Sequence, residues 1–122
     1  MKFNKTLIMN KYILSFALIT TSLPVMADDI SDVCSLMKTF ATEAMSSRQR
    51  GATLATHLLV MKTGLEAING VGANPLLLAQ IEGVAAAAWN VPVYTSTNDK
   101  LIVAKQFGQL VETKCITDLR EE

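Results

Sequence analysis

Histidine is almost missing from this chain of 122 residues: His57 stands alone. A protein zinc site takes three or four protein ligands, most often His and Cys. One histidine with distant carboxylates does not make such a site, and the expected role of His57 is structural, at the surface or half-buried. Cysteine is nearly as scarce, with Cys34 and Cys115 only, and they form no CxxC redox motif. No GxSxG elbow presents a serine nucleophile. Glu43, Glu66 and Glu82 stand singly, whereas a paired-carboxylate hydrolase needs two in one cleft. Charge of one sign is not in excess either, with 11 basic and 11 acidic residues. That balance gives no electrostatic ground for binding nucleic acid or anionic lipid over the whole surface. The expectation is a non-enzymatic protein without a metal or cofactor.

What is present begins with the N-terminus. Lys2, Lys5 and Lys11 precede the apolar run "YILSFALITTSL", and Pro24 and "VMA" follow it. Positive flank, short apolar core and small residues at −3 and −1 (Val25 and Ala27) have the order of a secretory signal peptide. The run is about a dozen residues, against about twenty for a membrane span. Cleavage after Ala27 is therefore expected, leaving residues 28–122 as one small domain with no stable membrane insertion. Three of the basic residues leave with the leader, so eight remain against 11 acidic, a net charge of −3.

Both cysteines lie in the mature part. In an exported protein two cysteines read as one disulfide. The bridge Cys34–Cys115 would close a loop of about 80 residues, which in the chain-entropy model stabilises by about 4.5 kcal/mol. A domain of this size is only marginally supported by burial alone, so the bridge is expected to be structural.

Four helices are legible. Ile30, Val33, Met37, Phe40 and Ala44 recur at the helical period, predicting a helix over 31–50 with Ser31 as N-cap. Leu54, Leu58 and Met61 predict a second over 52–63, and Gly64, Gly70 and Gly72 then break the chain. A short helical turn around 65–68 precedes the loop. Asn74-Pro75 is a start signal for a third helix reaching Trp89, where Pro92 stops it. Val103, Phe107 and Leu110, with Ala104, Gly108, Val111 and Cys115, mark a fourth over 99–119, capped by Thr97 or Asn98. Cys34 and Cys115 both fall on inward faces. The fold class expected is all-α: a small bundle of about four helices whose first and last members share the disulfide.

The stretch "RQRG", Arg48 to Gly51, permits two readings. Cations in a last helical turn suit the dipole, and glycine suits a left-handed C-cap. Dipole arguments leave Gln49 unexplained, and arginine also offers a planar fork for carboxylate or phosphate. Arg48, Gln49 and Arg50 are thus candidate contacts with a partner, together with Trp89 and Tyr94, which flank Pro92 as a possible aromatic platform. Met37, Met45 and Met61 fill a core or form a soft apolar groove.

The order Cys34; Arg48, Gln49 and Gly51; Ala88, Trp89, Pro92 and Tyr94; Phe107; Cys115 resembles a class of short exported proteins of Gram-negative bacteria and their phages. Tryptophan stands here where tyrosine is usual, and the glycine-rich middle is longer. The resemblance implies a periplasmic helical domain with a disulfide, and it implies no activity. The function expected is a periplasmic or secreted interaction module that binds or inhibits an unknown protein partner. The alternative is a stress chaperone resembling the small acid-stress chaperones of the periplasm, whose cysteines are much closer together.

Overall fold

The computed structural model describes residues 27–67 and 75–120, and the expected leader and the Asn74 cap lie outside them. Four helices make up the described chain: α1 (Ala27–Gln49), α2 (Leu54–Glu66), α3 (Pro75–Trp89) and α4 (Thr97–Arg120). No strand occurs among the described residues.

The helix boundaries differ from the sequence reading where side chains take over from propensity. α1 starts before Ser31, at Ala27, so Ser31 is not its cap. α2 begins after Thr53, whose hydroxyl accepts the Thr56 amide at 3.1 Å. It runs through Gly64 to Glu66. Gly64 has open space around it, and the extra turn buries Leu65. At α4 the cap is Ser96, not Thr97 or Asn98. Ser96 Oγ accepts the Asp99 amide at 3.3 Å, and its carbonyl accepts the Lys100 amide at 3.0 Å.

The principal packing is α1 against α4, and α3 lies on α1. α1 contributes Cys34, Met37, Ala41, Ala44 and Met45, all with 1% exposure or less. α4 contributes Val103, Phe107, Val111 and Cys115, and α3 contributes Ile81, Val84, Ala85 and Ala88. Small side chains on α3 allow the close approach expected from its alanine run. Burying Phe107 alone removes a side chain worth about 1.5–3 kcal/mol in apolar transfer.

The α1–α4 pair is antiparallel, and its register can be read along its length. Cys34 is bonded to Cys115, with Cα atoms 5.5 Å apart. Lys38 Nζ pairs with Glu112 at 3.7 Å. Gly108 then lies under Lys38 and Thr42: a Cβ at that position would run into Thr42 Oγ1 and come within 3.2 Å of the Lys38 carbonyl. At the far end Lys100 Nζ donates to the Gln49 carbonyl at 3.0 Å.

α2 is docked far more thinly. Of its 13 residues only His57 and Leu65 are buried. Leu59 and Val60 are each 67% exposed, an unusual load of apolar surface on one short helix.

Two outcomes follow for stability. Replacing both cysteines by alanine is expected to lower the unfolding free energy by up to about 4.5 kcal/mol, since the bridge spans 81 positions. Gly108→Val is expected to cost about 2–3 kcal/mol, because the fixed Lys38 carbonyl cannot give way to the added methyls. Urea titration of the oxidised proteins, against the wild type, measures both.

Candidate functional site

Gly51 adopts a positive φ of 89°, and the two bonds Gly51 N–H to Arg48 O and Ala52 N–H to Ser47 O complete a Schellman end for α1. The chain therefore turns sharply after Arg50, and three consecutive polar side chains leave the helix end in different directions.

Arg48 and Gln49 face inward. Arg48 Nε donates to the Val91 carbonyl at 3.0 Å. Gln49 is 2% exposed; its Nε2 donates to the Pro92 carbonyl and its Oε1 accepts the Tyr94 amide, both at 2.9 Å. One side-chain amide thus meets an extended backbone much as a neighbouring strand would, with a donor and an acceptor side by side. The Pro92 carbonyl and the Tyr94 amide flank Val93 on the same side of the extended backbone, so one primary amide can span them. This answers why glutamine stands between the arginines. Gln49 holds the α3–α4 connection against the end of α1, with Arg48 beside it.

Trp89 serves the same junction from the other side. Its Nε1 donates to the Ala52 carbonyl at 3.0 Å, and its ring lies 5.2 Å from that of His57. Four of the five candidate contact residues (Arg48, Gln49, Trp89 and Tyr94) are brought together, with polar atoms of each directed to groups within the molecule. Arg50 goes elsewhere. It is exposed, and its Nη2 donates to Glu43 Oε1 and to Ser47 Oγ, both at 3.1 Å.

Arg50 also borders a cleft of about 480 Å³ between α1 and α2. The walls are apolar: Phe40, Ala52, Val60, Met61 and Leu65. Glu43, Ser47, Arg50 and His57 form a connected polar side, because Ser47 Oγ also lies 3.2 Å from His57 Nδ1. Of the methionines, Met37 and Met45 are core residues, and Met61 alone lines this groove.

His57 is buried, not at the surface or half-exposed as the sequence suggested. Burial in apolar surroundings pulls its pKa below the usual 6.5; the Glu43 charge opposes this and the Arg50 charge adds to it. The Ser47–His57 contact has the atoms of a nucleophile and a base, but it sits at the carbonyl end of α1, where the helix dipole opposes a developing oxyanion. It is better suited to tethering α2 to α1. Among the described residues no group of three His, Cys, Asp or Glu could hold a metal ion. No helix among them is long and apolar enough to cross a membrane.

The cleft was missed at the sequence level. The available signal was α2 itself, whose Leu58, Leu59, Val60 and Met61 run consecutively and cannot all face one core. No protein-family model matches the chain, and no match to it emerges among curated proteins or solved structures.

The clasp gives a direct test. Gln49→Ala leaves the Pro92 carbonyl and the Tyr94 amide without their partner, and is expected to cost about 2–3 kcal/mol. Arg48→Ala, whose single bond is partly exposed, should cost about 1 kcal/mol. Chemical denaturation compares the two, with Arg50→Ala near neutral as the exposed control.

Proposed function

We propose that this chain is a small exported interaction module, with no enzymatic activity of its own, that receives an apolar segment of a partner protein in the α1/α2 cleft. The observation that carries the reading is the cleft's composition: apolar walls, with the Arg50–Glu43 ion pair along one side. Its volume of about 480 Å³ lies within the roughly 300–1,000 Å³ typical of ligand-holding sites. A partner's side chains would fill the apolar part, and polar groups flanking them would meet Arg50 and Glu43. Within this reading Arg50 touches the partner, while Arg48, Gln49, Trp89 and Tyr94 shape the surface from behind. Export is supported by the leader-like N-terminus, and an oxidising compartment such as the periplasm by the Cys34–Cys115 bridge.

A stress chaperone is the second reading, favoured by one observation: α2 carries Leu59 and Val60 in the open and buries only two of its residues. A helix held so lightly could swing out and offer its apolar face to unfolded clients.

A photo-crosslinking residue at Val60, in cells carrying the protein, separates these readings. A specific module gives one discrete adduct at neutral pH. The same probe at Leu101, equally exposed on α4, gives none, and Arg50→Glu lowers the Val60 yield several-fold. A broad smear of adducts that grows on acidification is the chaperone's outcome. Equal labelling from Val60 and Leu101 would remove both.

A further inference from the structure

We infer that the α1/α2 cleft is gated by acid: protonation of His57 releases α2 from the rest of the bundle and takes the groove apart. The inference concerns the regulation of the site assigned above, and its importance for binding rests on that reading.

The geometry makes His57 the pin of this helix. It is one of only two buried residues on α2. Its ring packs against Trp89 of α3 at 5.2 Å and an interplanar angle of 33°, and its Nδ1 meets Ser47 Oγ of α1 at 3.2 Å. A single imidazole therefore touches both neighbouring helices. Its Nε2 is buried without a hydrogen-bond partner among the described residues.

Arg50 Nη2 donates to Ser47 Oγ, which keeps a second lone pair and its own proton, so either neutral tautomer of the ring satisfies the Nδ1 contact. The imidazolium carries a proton on both nitrogens. Its Nε2–H is then a buried charged donor without a partner among the described residues, and the ring lies one hydroxyl from the Arg50 guanidinium. Within α2 the other charges are Lys62 and Glu66, and Lys62 is paired with Glu82 of α3 at 3.4 Å. Glu43 of α1 favours the imidazolium, Arg50 disfavours it, and Trp89 brings no charge. Desolvation is the largest contribution, and the balance lies on the side of a lowered pKa.

The sign of the linkage follows. The released ring titrates near 6.5 and the docked ring below it, so the docked state binds the proton more weakly. Docking is at full strength above about pH 6.5, weakens as pH falls toward the docked value, and levels off beneath it. The core of α1, α3 and α4 has no histidine and is untouched over this window.

Amide hydrogen exchange of the full disulfide-bonded chain from pH 8 to 5, corrected for intrinsic rates, tests the gate. Protection across α2 is expected to fall as pH drops below about 6.5, by at most ten-fold per pH unit, while α4 stays constant. His57→Phe keeps a ring on Trp89 without a titrating nitrogen and should abolish the fall. Should that variant not fold, Glu43→Gln is expected to deepen the fall, by moving the docked value further from the released one, and Arg50→Gln to make it shallower. Constant α2 protection in the wild type, or the same fall in His57→Phe, overturns the gate. Repeating the Val60 crosslink at pH 7.5 and 5.5 keeps the two ideas apart. A gate without any discrete adduct removes the binding reading alone. A discrete adduct with constant protection removes the gate alone.

Discussion

The antiparallel pairing of α1 with α4 is the constraint on which the remainder of the molecule rests. It is fixed at three separated points by three kinds of chemistry. A covalent bond joins Cys34 to Cys115, a close steric fit sets Gly108 under Lys38 and Thr42, and a charged hydrogen bond runs from Lys100 to the Gln49 carbonyl. Sliding one helix by a turn would break all three together. A core of alanines, valines and methionines specifies register poorly, because such side chains tolerate repacking. The three fixed points supply what the hydrophobic face leaves loose.

The end of α1 shows how one short polar stretch can perform two tasks. Arg48 and Gln49 satisfy backbone groups of 91–94, a segment that Pro92 keeps out of both adjoining helices. An extended connection of this kind has no strand to pair with, and a buried carbonyl or amide left alone there would cost about 1–3 kcal/mol. The Gln49 side chain supplies the missing neighbour, and the Gln49 backbone carbonyl is covered by Lys100. Arg50, one residue on, faces outward and joins Ser47 and Glu43, its neighbours one and two turns back on the helix surface. The rotation of about 100° between successive residues of a helix thus divides the cluster into a structural half and a surface half.

How much of this was legible depends on the range of the interaction. The all-α class, the four helices and the terminal disulfide follow from period, caps and cysteine count, which are local or combinatorial properties. Pro75 as a start and Gly51 as a stop could be read because each acts on its own backbone. The role of Gln49 could not, since its partners lie 43 and 45 residues away and are backbone atoms that any residue type possesses. The burial of His57 escaped for the same reason: Ser47 and Trp89 reach it from two other helices. Ser96 prevailed over Thr97 and Asn98 as a cap because three adjacent residues all have suitable oxygens, and only the direction of the incoming chain selects one.

The contrast between the α1–α4 pair and α2 gives the molecule its functional shape. Stability is concentrated where the disulfide, the Gly108 contact and the Gln49 clasp coincide, and it thins toward a helix that keeps Leu59 and Val60 in water. A fold under pressure for stability alone would bury those side chains, since each gains about 1.5–3 kcal/mol when fully removed from solvent. Leaving them exposed beside a groove lined by Phe40, Met61 and Leu65 makes sense if α2 must be able to move or to be covered by something else. Movement of α2 requires a body that stays folded while that helix shifts, and a bridge spanning 81 residues holds that body together without touching α2. The rigid pair and the loosely seated helix are therefore complementary parts of one design: the first permits the second to be weak.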